Sequence, residues 1–92
     1  MLERTVENHF VMRAKACDGE VRKLTYIGRR GAPDRLLVLP PGRVFFVELK
    51  RPGGPTKDHQ LREHARLRGV GADVRVLDTI AAVDAFFSEV AS

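Results

Sequence analysis

The chain has 92 residues, a length that leaves room for one domain, residues 1–92, with a single core. Its 43% hydrophobic and 30% charged residues exclude a disordered tail, and 16 Lys and Arg against 12 Asp and Glu leave a net charge of +4 that suits a polyanionic partner. One cysteine, Cys17, excludes an intrachain disulfide and points to a reducing compartment. No apolar run approaches the ~18 residues of a membrane span, so the expectation is a cytoplasmic protein with no membrane partner.

In chain order, Val6, Phe10, Ala14 and Cys17 recur at three and four residues, which predicts a helix from about Leu2 to Cys17, ended by Asp18-Gly19. Val21, Leu24 and Tyr26 predict a half-exposed strand over Glu20 to Ile27. The loop Gly28-Arg29-Arg30-Gly31 follows, then strands over Arg35 to Leu39 and Val44 to Lys50 about a Pro40-Pro41-Gly42 turn. The second of these strands is apolar on both faces up to Glu48, the mark of a central strand. After a loop over Arg51 to Pro55, Thr56 caps a helix to Arg68, with Gly69 as its stop. That helix has few apolar positions (Leu61, Ala65 and Leu67), with Gln60 and His64 near the same face. Arg62, Glu63, Arg66 and Arg68 crowd its other side. Val74 to Leu77 forms a fourth strand, and Thr79 caps a last helix carrying Ile80, Val83, Phe86, Phe87 and Val90. The expected fold is α/β, in the order α-β-β-β-α-β-α, with helices flanking a mixed sheet.

The chemistry concentrates at one end of that sheet. Gly31-Ala32-Pro33-Asp34 is a shaped loop that delivers Asp34 to the start of one strand. Glu48 ends the next, and Lys50 shares its face because residues two apart on a strand point the same way. Two carboxylates together at a buried strand end repel each other and are costly to desolvate. An oxygen-seeking cation such as Mg²⁺ relieves both costs.

Pro33-Asp34, a spacer, and Glu48-Leu49-Lys50 resemble the signature of the PD-(D/E)XK nuclease superfamily. Arg29-Arg30-Gly31-Ala32-Pro33-Asp34-Arg35, Phe46-Val47-Glu48-Leu49-Lys50, Pro52-Gly53-Gly54 and Gln60 resemble, more narrowly, the VRR-Nuc family in its small stand-alone virus and bacterial form. The resemblance runs over nearly the whole chain and implies a restriction-endonuclease-like core. It implies Asp34, Glu48 and the main-chain carbonyl of Leu49 as ligands of Mg²⁺ or Mn²⁺. Such a cation acts as a Lewis acid on the scissile phosphate and acidifies a water. Lys50 then orients or deprotonates that water and offsets charge growing on the phosphate. Glu7, on the first helix, resembles the helix-borne acid that superfamily members aim at the metal, with Glu3 one turn away as the alternative. Gln60 resembles the glutamine that the family keeps after the Glu-X-Lys strand. The implied setting is the cytoplasm of a bacterial or phage-infected cell.

Arg29, Arg30 and Arg35 border the carboxylate loop, and arginine forks suit phosphate oxygens, so contact with a DNA backbone is expected there. Arg22, Lys23, Arg51 and Lys57 are weaker candidates for the same surface. The spacing of His9, His59 and His64 matches no metal-ligand pattern, and Cys17 falls in an apolar stripe as a core residue. Gly53-Gly54 lacks the lysine and hydroxyl residue of a phosphate-binding loop.

Two classes of function fit these residues. One is a metal-dependent, structure-specific DNA endonuclease. Small stand-alone relatives resemble resolvases of four-way junctions, which implies a homodimer cutting two symmetry-related strands of a Holliday junction. Its variant is a monomer that trims flaps or other branched DNA. The other class is a DNA-binding module without turnover, which has little reason to keep Asp34, Glu48 and Lys50 together.

Overall fold

The structure is a computed structural model and describes residues 3–90. It contains α1 (Glu3–Ala16), β1 (Glu20–Lys23), β2 (Arg35–Leu39), β3 (Arg43–Leu49), α2 (Asp58–Gly69), β4 (Asp73–Leu77) and α3 (Ile80–Val90). The order α-β-β-β-α-β-α is the expected one. The strands form one sheet in the order β1-β2-β3-β4. The pairs β1/β2 and β2/β3 are antiparallel, and β3/β4 is parallel. A parallel neighbour cannot be reached by a tight turn, so α2 serves as the crossover.

One sheet face carries the core. Leu37, Leu39, Phe45, Val47 and Leu49 alternate along β2 and β3 and bury against α1 and α3. Val6, Phe10 and Ala14 on α1 are fully buried, as their helical spacing predicts. Phe10 and Phe87 lie 5.5 Å apart between ring centres, and Phe45 meets Phe86 edge-on at 5.4 Å. Each such side chain contributes about 1.5–3 kcal/mol on burial. A polar stitch crosses the edge of the two helices, where Asp84 accepts hydrogen bonds from His9 (2.6 Å) and Arg13 (3.0 Å). Among the described residues no helix is long and apolar enough to cross a membrane.

Three boundaries differ from the sequence expectation. β1 ends at Lys23, four residues short of Ile27, because Lys23 opposite Arg35 is its last pair with β2. The Leu24 N–H then bonds the Asp34 carbonyl (3.0 Å), and the chain leaves the sheet. Tyr26 goes over to α2, where its hydroxyl donates to Glu63 (2.7 Å), and Ile27 is fully exposed. α2 starts one residue later than expected, with Lys57 in the cap position instead of Thr56. The Gln60 side-chain carbonyl accepts the Lys57 N–H at 3.0 Å and satisfies one otherwise orphaned helix-start donor. At its other end α2 includes Gly69 and is terminated by Val70 and Gly71, the latter at φ +93°. The Thr79 cap of α3 is present, its hydroxyl accepting the Ala82 N–H at 2.9 Å.

The buried face of α2 is also not the expected one. Leu61 is 50% exposed and Ala65 is exposed, whereas Glu63 and His64 are buried. This helix covers the sheet end that carries Glu48, so polar side chains, and not the scarce apolar ones, meet the sheet there.

Candidate active site

The β2/β3 register builds the site. Arg35 lies opposite Val47, so the next pair along places Asp34 opposite Glu48. Pro33, fully buried, anchors the entry to this point. Gly31 lets the loop lie against α2: a Cβ there would come within 2.7 Å of the His59 carbonyl, and its φ of +94° disfavours any other residue. Asp34 is tied down through Oδ2, which accepts the Leu49 N–H at 3.0 Å.

Glu48 is 1% exposed. Its Oε2 accepts from Gln60 Nε2 at 3.0 Å and pairs with Lys50 Nζ at 3.1 Å. Lys50 Nζ also donates to Gln60 Oε1 at 3.2 Å. Glu48, Lys50 and Gln60 therefore close a three-membered polar ring. Glu48 Oε1 is buried with no hydrogen-bond partner among the described residues. Burial, and then the nearby charge of Asp34, push the Glu48 carboxyl above its usual range, with Lys50 only partly offsetting them. A buried carboxylate oxygen without a donor, beside a second carboxylate, is a donor set that a hard divalent cation fits. Among the described residues no three His, Cys, Asp or Glu side chains are grouped to hold a metal. A cation here would rest on Asp34, Glu48 and a main-chain oxygen such as that of Leu49.

The remaining candidates divide. Glu7 does not join the carboxylate pair, because it forms an ion pair with Arg35. Arg35 in turn donates to the Asp34 carbonyl at 3.0 Å. Arg35 is thus turned inward as a strut between α1 and the Asp34 loop, and Glu7 reaches the site only through it. The side chain of Glu3 lies outside the described residues. Arg29 and Arg30 are exposed on the loop before Asp34, with Arg29 Nε 3.4 Å from Glu63. Arg51 and Lys57 are exposed on the segment linking β3 to α2. Arg22 and Lys23 are exposed on the edge strand β1, where Arg22 pairs with Glu20 at 2.7 Å.

Two buried polar residues beside the site were not singled out from the sequence. His64 is 1% exposed, and neither ring nitrogen has a hydrogen-bond partner among the described residues. Burial, then Arg68 and Lys50, lower its pKa and keep it neutral. Glu63 is 5% exposed and gathers Tyr26, Arg66 (3.0 Å) and Arg29. The Tyr26 hydrogen bond, then those charges, hold its carboxyl below the usual range. The sequence signal was the spacing of Gln60, Glu63 and His64, a helical stripe of polar residues on an element with too few apolar ones.

No family model matches the chain. It is 47% identical over 77 residues to the protein named "Putative nuclease p44" of Acyrthosiphon pisum secondary endosymbiont phage 1, an alignment covering 84% of this chain and 83% of that one. A solved structure described as "VRR_NUC domain" superposes with a TM-score of 0.90 at 43% sequence identity, covering 96% of each chain. Both likenesses span the Asp34 loop, the Glu48-Leu49-Lys50 strand and the Gln60 helix in a single alignable fold, and at these identities the chain belongs to the VRR-Nuc family.

Proposed function

We propose that the protein is a Mg²⁺- or Mn²⁺-dependent DNA endonuclease that cuts four-way junctions as a homodimer. The observation that carries the nuclease reading is the buried Oε1 of Glu48 beside Asp34, unpartnered among the described residues, with Lys50 and Gln60 bonded to the other oxygen. A chain that only bound DNA would keep a costly buried carboxylate pair without return. The phage relative's name, "Putative nuclease p44", agrees with this reading.

When bound, the cation supplies Lewis-acid polarisation of the scissile phosphate. The chain's own residues do the rest. Asp34 and Glu48 would hold that cation through their carboxylates, which would otherwise repel the phosphate. Lys50, held at one angle by Glu48 and Gln60, places an ammonium against the charge that grows on the phosphoryl oxygens. Gln60 keeps that ammonium from swinging away and fills the remaining lone pair of Glu48 Oε2. Arg29 and Arg30 hold the backbone beside the cut without reading sequence.

One small domain has one such site and cuts one strand. A two-fold pair places two sites on symmetry-related strands of a junction. Phe86 and Phe87 cannot form that interface, being buried in the core at 3% and 0% exposure. Met12 on α1 and Leu61 on α2, both about half exposed, are large apolar side chains open to such an interface.

The test combines light scattering with cleavage of labelled linear, flapped and four-way-junction DNA, with and without Mg²⁺ or Mn²⁺. The expected result is a dimer making paired nicks in the junction and acting poorly on linear duplex. A monomeric mass with nicks in one arm only replaces the resolvase with a flap nuclease. No cleavage of any substrate by a folded protein with metal overturns the nuclease reading.

A further inference from the structure

The cleft between the Thr25–Arg29 segment and α2 lies outside the Glu48–Lys50–Gln60 ring and shares only Arg29 with the proposed backbone contact. It is open, with a volume of about 630 Å³, well within the range of ligand pockets. Its walls combine two kinds of group. Tyr26, Ile27 and Leu67 supply an aromatic ring and two aliphatic side chains, and Ile27 is fully exposed. Arg29 and Arg66 supply two guanidinium groups, each about half exposed.

Glu63 sets the pose of three of these groups at once. It accepts the Tyr26 hydroxyl at 2.7 Å and pairs with the Nε atoms of both arginines. Burial and this bond push the Tyr26 hydroxyl up to about 12, so the ring stays neutral. One carboxylate against two guanidiniums leaves the cleft with one net positive charge. Both arginines meet Glu63 through Nε, and their terminal nitrogens make no hydrogen bond among the described residues. The floor is also braced from behind, since Gly31 lies against His59 and Glu63 of α2.

A pre-set aromatic ring beside aliphatic side chains and guanidinium forks is the combination that takes an unpaired nucleobase with its phosphate. The location agrees. Glu63 and Leu67 lie three and seven residues beyond Gln60, or about 4.5 and 10 Å along the helix axis. Duplex DNA rises roughly 3.4 Å per nucleotide along its axis, so both positions lie within a few nucleotides of the Glu48–Lys50–Gln60 ring.

We propose that this cleft is a subsite for an unpaired nucleobase of branched DNA, holding a base next to the point of cleavage between Tyr26, Ile27 and the forks of Arg29 and Arg66. The inference rests on the nuclease reading for its substrate but not for its test, which needs no turnover.

The chain has one tyrosine, so the ring protons of Tyr26 are an unambiguous NMR probe. The protein is titrated, in EDTA, with a short oligodeoxyadenylate and with an abasic chain of the same length and charge. The expected result is a saturable upfield shift of the Tyr26 ring signals with the adenine chain and little change with the abasic one. Ile27→Ser, at a fully exposed position, weakens that binding several-fold and leaves abasic-chain binding unchanged. An equal response to both chains, or binding of the adenine chain without a Tyr26 shift, overturns the subsite and leaves only backbone contact. Junction cleavage assayed separately with metal distinguishes the two readings. A base-dependent shift without cleavage keeps the cleft and removes the nuclease, and cleavage without the shift does the reverse.

Discussion

The two faces of the sheet are built on opposite physical terms. On one, α1 and α3 close over Leu37, Phe45, Val47 and Leu49, and nearly every contact is apolar. On the other, α2 meets the sheet end with Gln60, Glu63 and His64, and the side chain below them is a buried carboxylate. The first face holds the fold together. The second is held by the first and carries polar groups that lower stability unless a ligand completes them. The contrast explains how 88 described residues, 3–90, can sustain a costly site: the apolar face is kept clear of it.

The sharpest way to break the contrast is to substitute each face in turn. Asp34→Ala and Glu48→Ala are expected to reduce cleavage below detection while the circular dichroism spectrum stays that of the wild type. Lys50→Ala is expected to do the same, since in the proposed reaction all three serve one transition state. Wild-type rates from a folded Asp34→Ala protein would falsify the site. Phe87→Ala is expected to act the other way, costing about 3–5 kcal/mol of stability through the cavity it leaves, read by urea denaturation.

A smaller effect tests whether the polar face lowers stability. The Glu48 carboxyl is raised in the folded state, so the folded protein keeps its proton to higher pH than the unfolded chain. Stability from this group is therefore full in acid and falls as pH rises from the ordinary carboxylate range through the raised value. Glu48→Gln, measured in EDTA, is expected to melt a few degrees higher than wild type at neutral pH. The difference is expected to vanish in acid, where the wild-type side chain is also neutral. A variant that melts lower than wild type at neutral pH would show that the Lys50 pair outweighs burial.

The smallest expected effect lies at the rim. Arg29→Ala with Arg30→Ala should leave melting unchanged and weaken DNA binding to all sequences alike. The slope of log affinity against log salt should fall by about 2, one for each guanidinium taken away from a phosphate. An unchanged slope would move the backbone contact to Arg51 and Lys57.

The core face was legible in the sequence because its signals are local. The apolar spacing of Val6, Phe10 and Ala14 and the alternation through Phe45, Val47 and Leu49 are set by helix and strand geometry alone. The same geometry put Asp34 and Glu48 at one sheet end, since a hairpin about Pro40-Pro41-Gly42 leaves little choice of register. The polar face was legible only in part. Gln60 was found through its likeness to a family pattern, whereas Glu63 was placed on the side away from the apolar positions, and Leu61, one of those positions, is half exposed.

What the sequence determined by itself was the element order, the apolar core and the meeting of Asp34, Glu48 and Lys50, because each follows from periodicity or from neighbours along the chain. What only the tertiary structure decided was how distant polar groups were paired. Arg35 faces the interior because Glu7, 28 residues earlier, meets it across the α1 packing. Tyr26 leaves the strand it was expected to extend because Glu63, 37 residues later, offers a buried acceptor. A polar side chain carries no mark of its partner in its own sequence neighbourhood: desolvation makes it seek one, and the fold determines which one it meets.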